Sequence, residues 1–509
     1  MKSQFFSLAT AALFLAGPAS GQPAPPPGLL DKISASHMKG HVSFLASDLL
    51  EGRDTPSKGL EIAAEYIAAH FRALGLEPGG DDGYFQKAPF ALVRQPMDGF
   101  EMTIIVNGQT IPVPKERAMV SASAAADLSS LPIIKLALGD KEAVDNAVAQ
   151  GLANKALLLT MPNFAAMSEE ERETAFQTAM AARQKLLTAK PALALSLGGG
   201  GVGGGGGAAR PRLREVSPAG EVEPPTVTIS DEAAMKALRE LPAGATASVS
   251  VKIPAPQEEK IALRNVIGVL RGSDPKLADE YILVTAHYDH TGVRAQGEGD
   301  RINNGANDDA SGTACVLDMA AAFVHSGVKP KRTIVFMTYF GEEKGLLGSR
   351  YYGRNPRFPL AKTVANLNLE HMGRTDDNEG STAGKLTMTG FDFTDMGDTF
   401  RMAGEMTGVV AYKHEKNSDS FFGRSDNQAL ADAGIPAHTF CAAFIFPDYH
   451  RPGDHWDKID YDNMAKVLRT ATLMTWMISE NPERPKWNAA NPKTAKYVEA
   501  AKKLHATAP

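Results

Sequence analysis

Apolar residues recur at helical spacing through Leu60, Ala63, Ala64, Ile67, Ala68, Phe71 and Leu74, and Gly75 follows as a stop, which predicts an amphipathic helix. From about residue 97 to 258 the texture changes. Short β-type runs (Met102–Val106, Ala156–Thr160, Thr226–Ile229) surround a helical stretch at Glu169–Ala189. From about residue 260, strand and helix alternate. Strands are predicted at Tyr281–Ala286, Arg332–Tyr339, Val364–Leu369 and Ile435–Phe440, and helices at Ser311–His325, from Gly345 and at Asn463–Ser479. That alternation predicts an α/β fold, a mixed and largely parallel sheet flanked by helices, with 97–258 as a smaller β-rich insertion. Ligands of such sheets gather beyond the carboxyl ends of the strands.

Composition narrows the classes of partner. With 43% hydrophobic and 22% charged residues over 509 positions, global disorder is excluded and two or three domains are expected. Lys and Arg number 53 against 59 Asp and Glu, a net charge of -6, which argues against nucleic acid or an anionic membrane as main partner. Two cysteines cannot build a disulfide framework or a Cys-rich zinc module, so any metal must be held by histidines and carboxylates. Cys315, in an apolar helical run, and Cys441, at the end of a strand-like run, read as buried free thiols. Lys2, the apolar stretch Phe5–Ala16 and the small pair Ala19 and Gly21 read as a signal peptide over 1–21, making the mature protein periplasmic or secreted. No other stretch is apolar enough to serve as a membrane anchor. Gly198–Gly207, nine glycines and a valine, lacks the Gly-Lys-Ser/Thr ending of a phosphate loop and reads as a flexible surface loop.

The chemistry sits at the ends of the predicted strands. Tyr281–Ala286 runs into His287-Tyr288-Asp289, where alternation puts His287 and Asp289 on one side. An imidazole there can bind a metal while a carboxylate fixes its tautomer. In Asn303–Gly312 either Asp308 or Asp309 can divide its two oxygens between two cations. After Arg332–Tyr339 come Glu342 and Glu343, adjacent carboxylates that point apart, one suited to a metal and the other to a proton from water. Glu370 closes a third strand and His450 lies in a late loop. Two histidines with three carboxylates make a nitrogen and oxygen donor set suited to two zinc ions sharing one carboxylate.

The motifs AHYDH, NNGANDDASG, GEEKGLLGS, NLNLEHMGR and DYHRPGDHWDKID, in this order, resemble those of the co-catalytic zinc metallopeptidases of family 28, which include bacterial leucyl aminopeptidases and glutamate carboxypeptidase II. FGRSDNQALADAGIP and Leu45–Gly80 are similar to further segments of the same peptidase domain, so the resemblance covers roughly 30–95 and 260–480. Between the signal peptide at 1–21 and a polar, Lys- and Ala-rich C-terminal tail at 482–509, it implies a zinc exopeptidase fold with peptidase domain at 22–96 and 259–481 and an inserted protease-associated-like domain at 97–258. It implies that His287 ligates one zinc and His450 the other, and its spacing to Ser-Gly selects Asp308 as the bridge. By the same resemblance Glu342 is the general base, Glu343 and Glu370 are ligands, and Asp289 is the partner of His287. Many relatives have Asp where this chain has Glu370. The implied activity is hydrolysis of peptide bonds in peptide substrates by a two-zinc aminopeptidase. Carboxypeptidase, dipeptidase, one-zinc glutaminyl cyclase and non-catalytic ectodomain are the other readings the family allows.

Overall fold

The strands that carry the site are, in chain order, β1 (Gln257–Leu270), β2 (Tyr281–His287), β3 (Thr333–Tyr339), β4 (Thr363–Leu369), β5 (Lys385–Met388), β6 (Val410–Tyr412) and β7 (Ala437–Cys441). In the computed structural model, which describes residues 26–165, 167–198, 211–216, 224–241 and 246–506, they lie side by side in the order β6-β5-β7-β4-β2-β3-β1. Every position of β2, β3, β4 and β7 is buried, as expected of strands covered on both faces, which explains their nearly continuous apolar runs. These four pair in parallel. β1 runs antiparallel to β3 through Val266–Leu270, and β5 antiparallel to β7. The sheet is therefore mixed, with a parallel centre, as the alternation of elements predicts.

Among the helices that flank it are α1 (Ala35–Leu45), α2 (Lys58–Ala73), α3 (Gly312–Ser326), α4 (Leu347–Arg354), α5 (Met396–Thr407) and α6 (Tyr461–Glu480). α2 buries Leu60, Ala63, Ala64, Ile67, Ala68 and Phe71, and the Ser57 side chain caps it by accepting from the Leu60 amide. α3 is buried at eleven positions, including Cys315, because it lies between sheet and neighbouring helices, and Gly327 ends it in the left-handed conformation. Cys315 and Cys441 are both buried and unbridged. The stretch 482–509 contains one more helix, α7 (Ala495–Ala506), whose Tyr497 is buried and stacks on Trp487 with ring centroids 4.8 Å apart. That end is therefore tied to the core by aromatic packing.

Residues up to Ala88 and from Leu263 onward form one compact unit, and Pro89–Ala262 another. Among its described residues the second unit has its own eight-stranded sheet, three helices (Lys141–Ala149, Glu169–Thr188, Glu232–Arg239) and apolar cores around Leu158, Leu195 and Val249 and around Leu157 and Leu186. The stretch 1–21 lies outside the described residues, as does the glycine run apart from Gly198.

Where α3 meets the end of β4 there is no room for a side chain. A Cβ on Gly312 would stand 2.0 Å from the Leu369 carbonyl oxygen and 2.4 Å from Asp309 Oδ2. Gly312→Ala is expected to lower the unfolding free energy by about 2–3 kcal/mol through overpacking against backbone. Urea unfolding of the variant beside the parent checks this, and an unchanged midpoint would refute it.

Candidate metal centre

The carboxyl ends of β2, β3, β4 and β7 converge, and the loops leaving them supply the polar groups. His287 is the last residue of β2, Glu342 and Glu343 lie just beyond β3, and Glu370 directly follows β4. Asp308 belongs to the loop before α3, and His450 to the loop after β7. Each parallel strand thus delivers its following residues to the same end of the sheet.

The four other side chains read as ligands meet around Asp308. Its Oδ1 stands 3.2 Å from His287 Nε2, and its Oδ2 stands 3.1 Å from His450 Nε2. Glu343 Oε2 is 3.2 Å from the same His450 nitrogen. His287, Asp308 and Glu370 form one group of convergent donor atoms; His290, Asp308 and Glu343 form a second. His290 Nδ1 lies 2.7 Å from Glu343 Oε1 and 3.7 Å from Asp308 Oδ2. His290 and His450 thus reach the same two carboxylates, with His290 buried and His450 partly exposed. Several of these atoms are buried and lack a hydrogen-bond partner: His287 Nε2, both nitrogens of His290, His371 Nε2 and Glu343 Oε1. Orphaned buried nitrogens and oxygens are costly unless something else satisfies them. A pair of divalent cations, one at each oxygen of Asp308, fits this donor set.

The charges respond to one another strongly. Burial alone would raise the Asp308 carboxyl, but the surrounding imidazoles, His290 foremost, hold it well below the carboxylate range. Burial and the Asp308 charge push Glu343 up, and His290 and His450 outweigh them, bringing it down to about 2. In the opposite sense, burial lowers the imidazoles while the carboxylates raise them further, taking His371 to about 9 and His450 to about 10. Glu342 behaves differently from its neighbour: burial and the like charges of Glu370, Asp426 and Glu343 drive it well above the usual range despite His287. Two adjacent carboxyls therefore have opposed tendencies, the pattern of one anionic ligand and one group that holds a proton.

Supporting contacts fix these groups. His287 Nδ1 bonds the Asp289 backbone carbonyl at 3.2 Å, with the Asp289 carboxylate at 3.5 Å. That carboxylate also accepts from the Glu342 amide (3.1 Å) and from Thr55 Oγ1 (3.1 Å), so one side chain steadies both a ligand and the neighbouring Glu342. Asp289→Asn is expected to weaken metal binding roughly 10- to 100-fold, as loss of an outer partner typically does. Chelator competition checks it, and parent-like affinity would refute it. Glu370 Oε2 accepts from Ser425 Oγ, which accepts in turn from the Asn368 amide (2.9 Å), and Asn368 Oδ1 accepts from Thr285 (2.8 Å). Asp309, the alternative to Asp308, instead accepts from the Gly312 amide (2.9 Å) and holds the loop.

Three residues at the site fall outside the reading from sequence. His290 and His371 stand inside the quoted motifs AHYDH and NLNLEHMGR but carry no ligand role there. Arg53 is wholly buried and donates to the carbonyls of Tyr288 (2.8 Å), Asn304 (2.8 Å) and Gly305 (3.0 Å), and to Leu45. Burial lowers its guanidinium to about 10, against the pull of Asp289, Asp308, Asp309 and Asp454. It clamps the loops that present His287 and Asp308. The signal for Arg53 was only its place in Leu45–Gly80, a stretch with no strand-end chemistry of its own.

Residues 265–475 match the family model described as peptidase family M28. A probable zinc metalloprotease of Pyrenophora teres f. teres (strain 0-1) is 34% identical over 138 residues, covering 26% of this chain and 28% of that protein. Aminopeptidase YwaD of Bacillus subtilis (strain 168) is 28% identical over 229 residues, covering 44% of this chain and 46% of that protein. The chain thus spans less than half the length of either relative. The aminopeptidase from Aneurinibacillus sp. strain AM-1 has a similar fold, with TM-score 0.54 and 21% identity over 90% of this chain and 97% of that one.

Proposed function

We propose, from the match of residues 265–475 to the peptidase family M28 model, that the chain is a di-zinc exopeptidase, most specifically an aminopeptidase acting on peptides. The observation that carries the reading is the Asp308 carboxylate, whose two oxygens face imidazoles from different loops while Glu342 stands beside them. His287, Asp308 and Glu370 would hold one ion, and Asp308, Glu343 and His450, joined by His290, the other. When bound, zinc would supply Lewis acidity toward the scissile carbonyl and toward water.

The chain's own residues would do the rest. Glu342 accepts the proton of the attacking water on its carboxylate and passes it to the leaving amine nitrogen, so that hydrolysis leaves a free amino acid and a shortened peptide. Asp289 holds the Glu342 backbone and the His287 ring in register for that transfer. A one-metal cyclase reading would leave one face of Asp308 without a purpose. We further read 1–21 as an export signal, giving a periplasmic or secreted enzyme, and 97–258, within the compact unit Pro89–Ala262, as a protease-associated-like insertion. Among the described residues no helix is long and apolar enough to cross a membrane.

The test compares peptides with free and with acetylated N-termini, with and without chelator. Release of the first residue from free peptides only, abolished by chelator and restored by zinc, is expected. Activity on blocked peptides with a free C-terminal residue would overturn the aminopeptidase reading.

A further inference from the structure

We propose that His371 is a seventh protein ligand of the metal centre, a second imidazole on the ion that His287, Asp308 and Glu370 would hold; this rests on the di-metal reading above. The surroundings of His371 reproduce those of His287. Nδ1 of His371 lies 3.2 Å from the Phe444 carbonyl, as Nδ1 of His287 lies 3.2 Å from the Asp289 carbonyl. A ring that donates from Nδ1 to a carbonyl presents Nε2 as its free lone pair, the arrangement that orients metal-binding histidines. In both residues Nε2 is buried and has no hydrogen-bond partner. Both face one oxygen, Asp308 Oδ1, at 3.2 Å for His287 and 3.6 Å for His371, and His371 Nε2 is 3.8 Å from Glu370 Oε1. Two donors on one tetrahedral zinc stand roughly 3.3 Å apart. These three separations lie within roughly 0.5 Å of that value.

The backbone explains how neighbours in sequence aim at one point. Successive side chains of an extended chain point to opposite faces. At His371 φ is 52°, in the left-handed region, which turns its ring back toward the site occupied by Glu370. His450 adopts the same conformation, with φ 54°. Such backbone in a residue with a side chain persists where its surroundings over-determine it, and it clusters at functional sites. The rings of Phe446 and Tyr449 each meet the His371 ring edge-on at 5.3 Å and hold its plane. With two imidazoles and two carboxylates, that position would favour zinc, cobalt or nickel over manganese or magnesium.

Cadmium-113 loaded into the full chain tests this directly, because scalar coupling between the metal and imidazole ring protons requires a bond. Packing against the site, or a role in orienting Glu370, would not produce it. Coupling to the rings of both His287 and His371 is expected. In His371→Gln the His371 set should vanish while the His287 set remains, and chelator competition should show affinity at least roughly 10-fold weaker. The decisive spectrum is that of the unaltered chain, so the test survives a variant that fails to fold. Bound cadmium coupled to His287 but not to His371 overturns this inference and leaves the metal reading standing. No bound cadmium, or bound cadmium coupled to neither ring, overturns both.

Discussion

Replacing Glu342 with glutamine is expected to lower kcat by at least roughly 10²-fold while two zinc ions per chain remain bound. The amide keeps the size of the carboxyl but cannot accept a proton. The backbone amide of residue 342 would still donate to Asp289, so the loop after β3 stays in place. Glu343, next in the chain, keeps its contacts with His290 and His450, so the ligand set is intact. KM should change little, since the loss falls on proton transfer and not on peptide binding. Metal analysis beside turnover separates the two effects. A zinc-replete Glu342→Gln enzyme that turns over near the parent rate would remove Glu342 from the reaction.

Asp308→Asn is expected to produce the other large loss, by a different route. Among the described residues Asp308 is the carboxylate common to both groups of donors, facing His287 and His371 through Oδ1 and His450 and His290 through Oδ2. An amide offers one acceptor oxygen and no charge, so at least one ion would lose an anionic donor and the two sites would lose their link. We expect zinc in a chelator-buffered solution to fall below two per chain, with affinity weaker by at least roughly 100-fold, beyond the usual cost of losing an outer partner. Activity should fall in parallel. Unchanged loading of both ions would mean that the carboxylate is not shared.

How much of this could be read without coordinates follows from what each signal depends on. β2, β3, β4 and helix α2 declare themselves through local periodicity, and their ends carry the polar residues that meet in space. Asp308 over Asp309 needed the resemblance, because composition treats the two alike; the structure has Asp309 turned to the Gly312 amide instead. Helix α5 escaped because Met396, Phe400 and Ala403 are diluted by glycines at 397 and 404, which are present because the helix packs too closely for Cβ atoms there. His371 escaped because period-two reasoning sends it away from Glu370, and the left-handed turn that reverses it leaves no mark in composition. Arg53 escaped because all of its distant partners are backbone carbonyls, which no residue pattern encodes.

That buried guanidinium also sets an order of events during synthesis. Arg53 and its partner Tyr288 are 235 residues apart in the chain. At roughly 5–20 residues per second, the ribosome delivers Tyr288 roughly ten to fifty seconds after Arg53. In that interval the whole of Pro89–Ala262 is made, while the early segment still lacks the carbonyls that Arg53 binds. A fragment cut to residues 265–475 would contain every proposed ligand yet never receive the arginine that holds their loops, and it should emerge from the ribosome as a metal site without a frame.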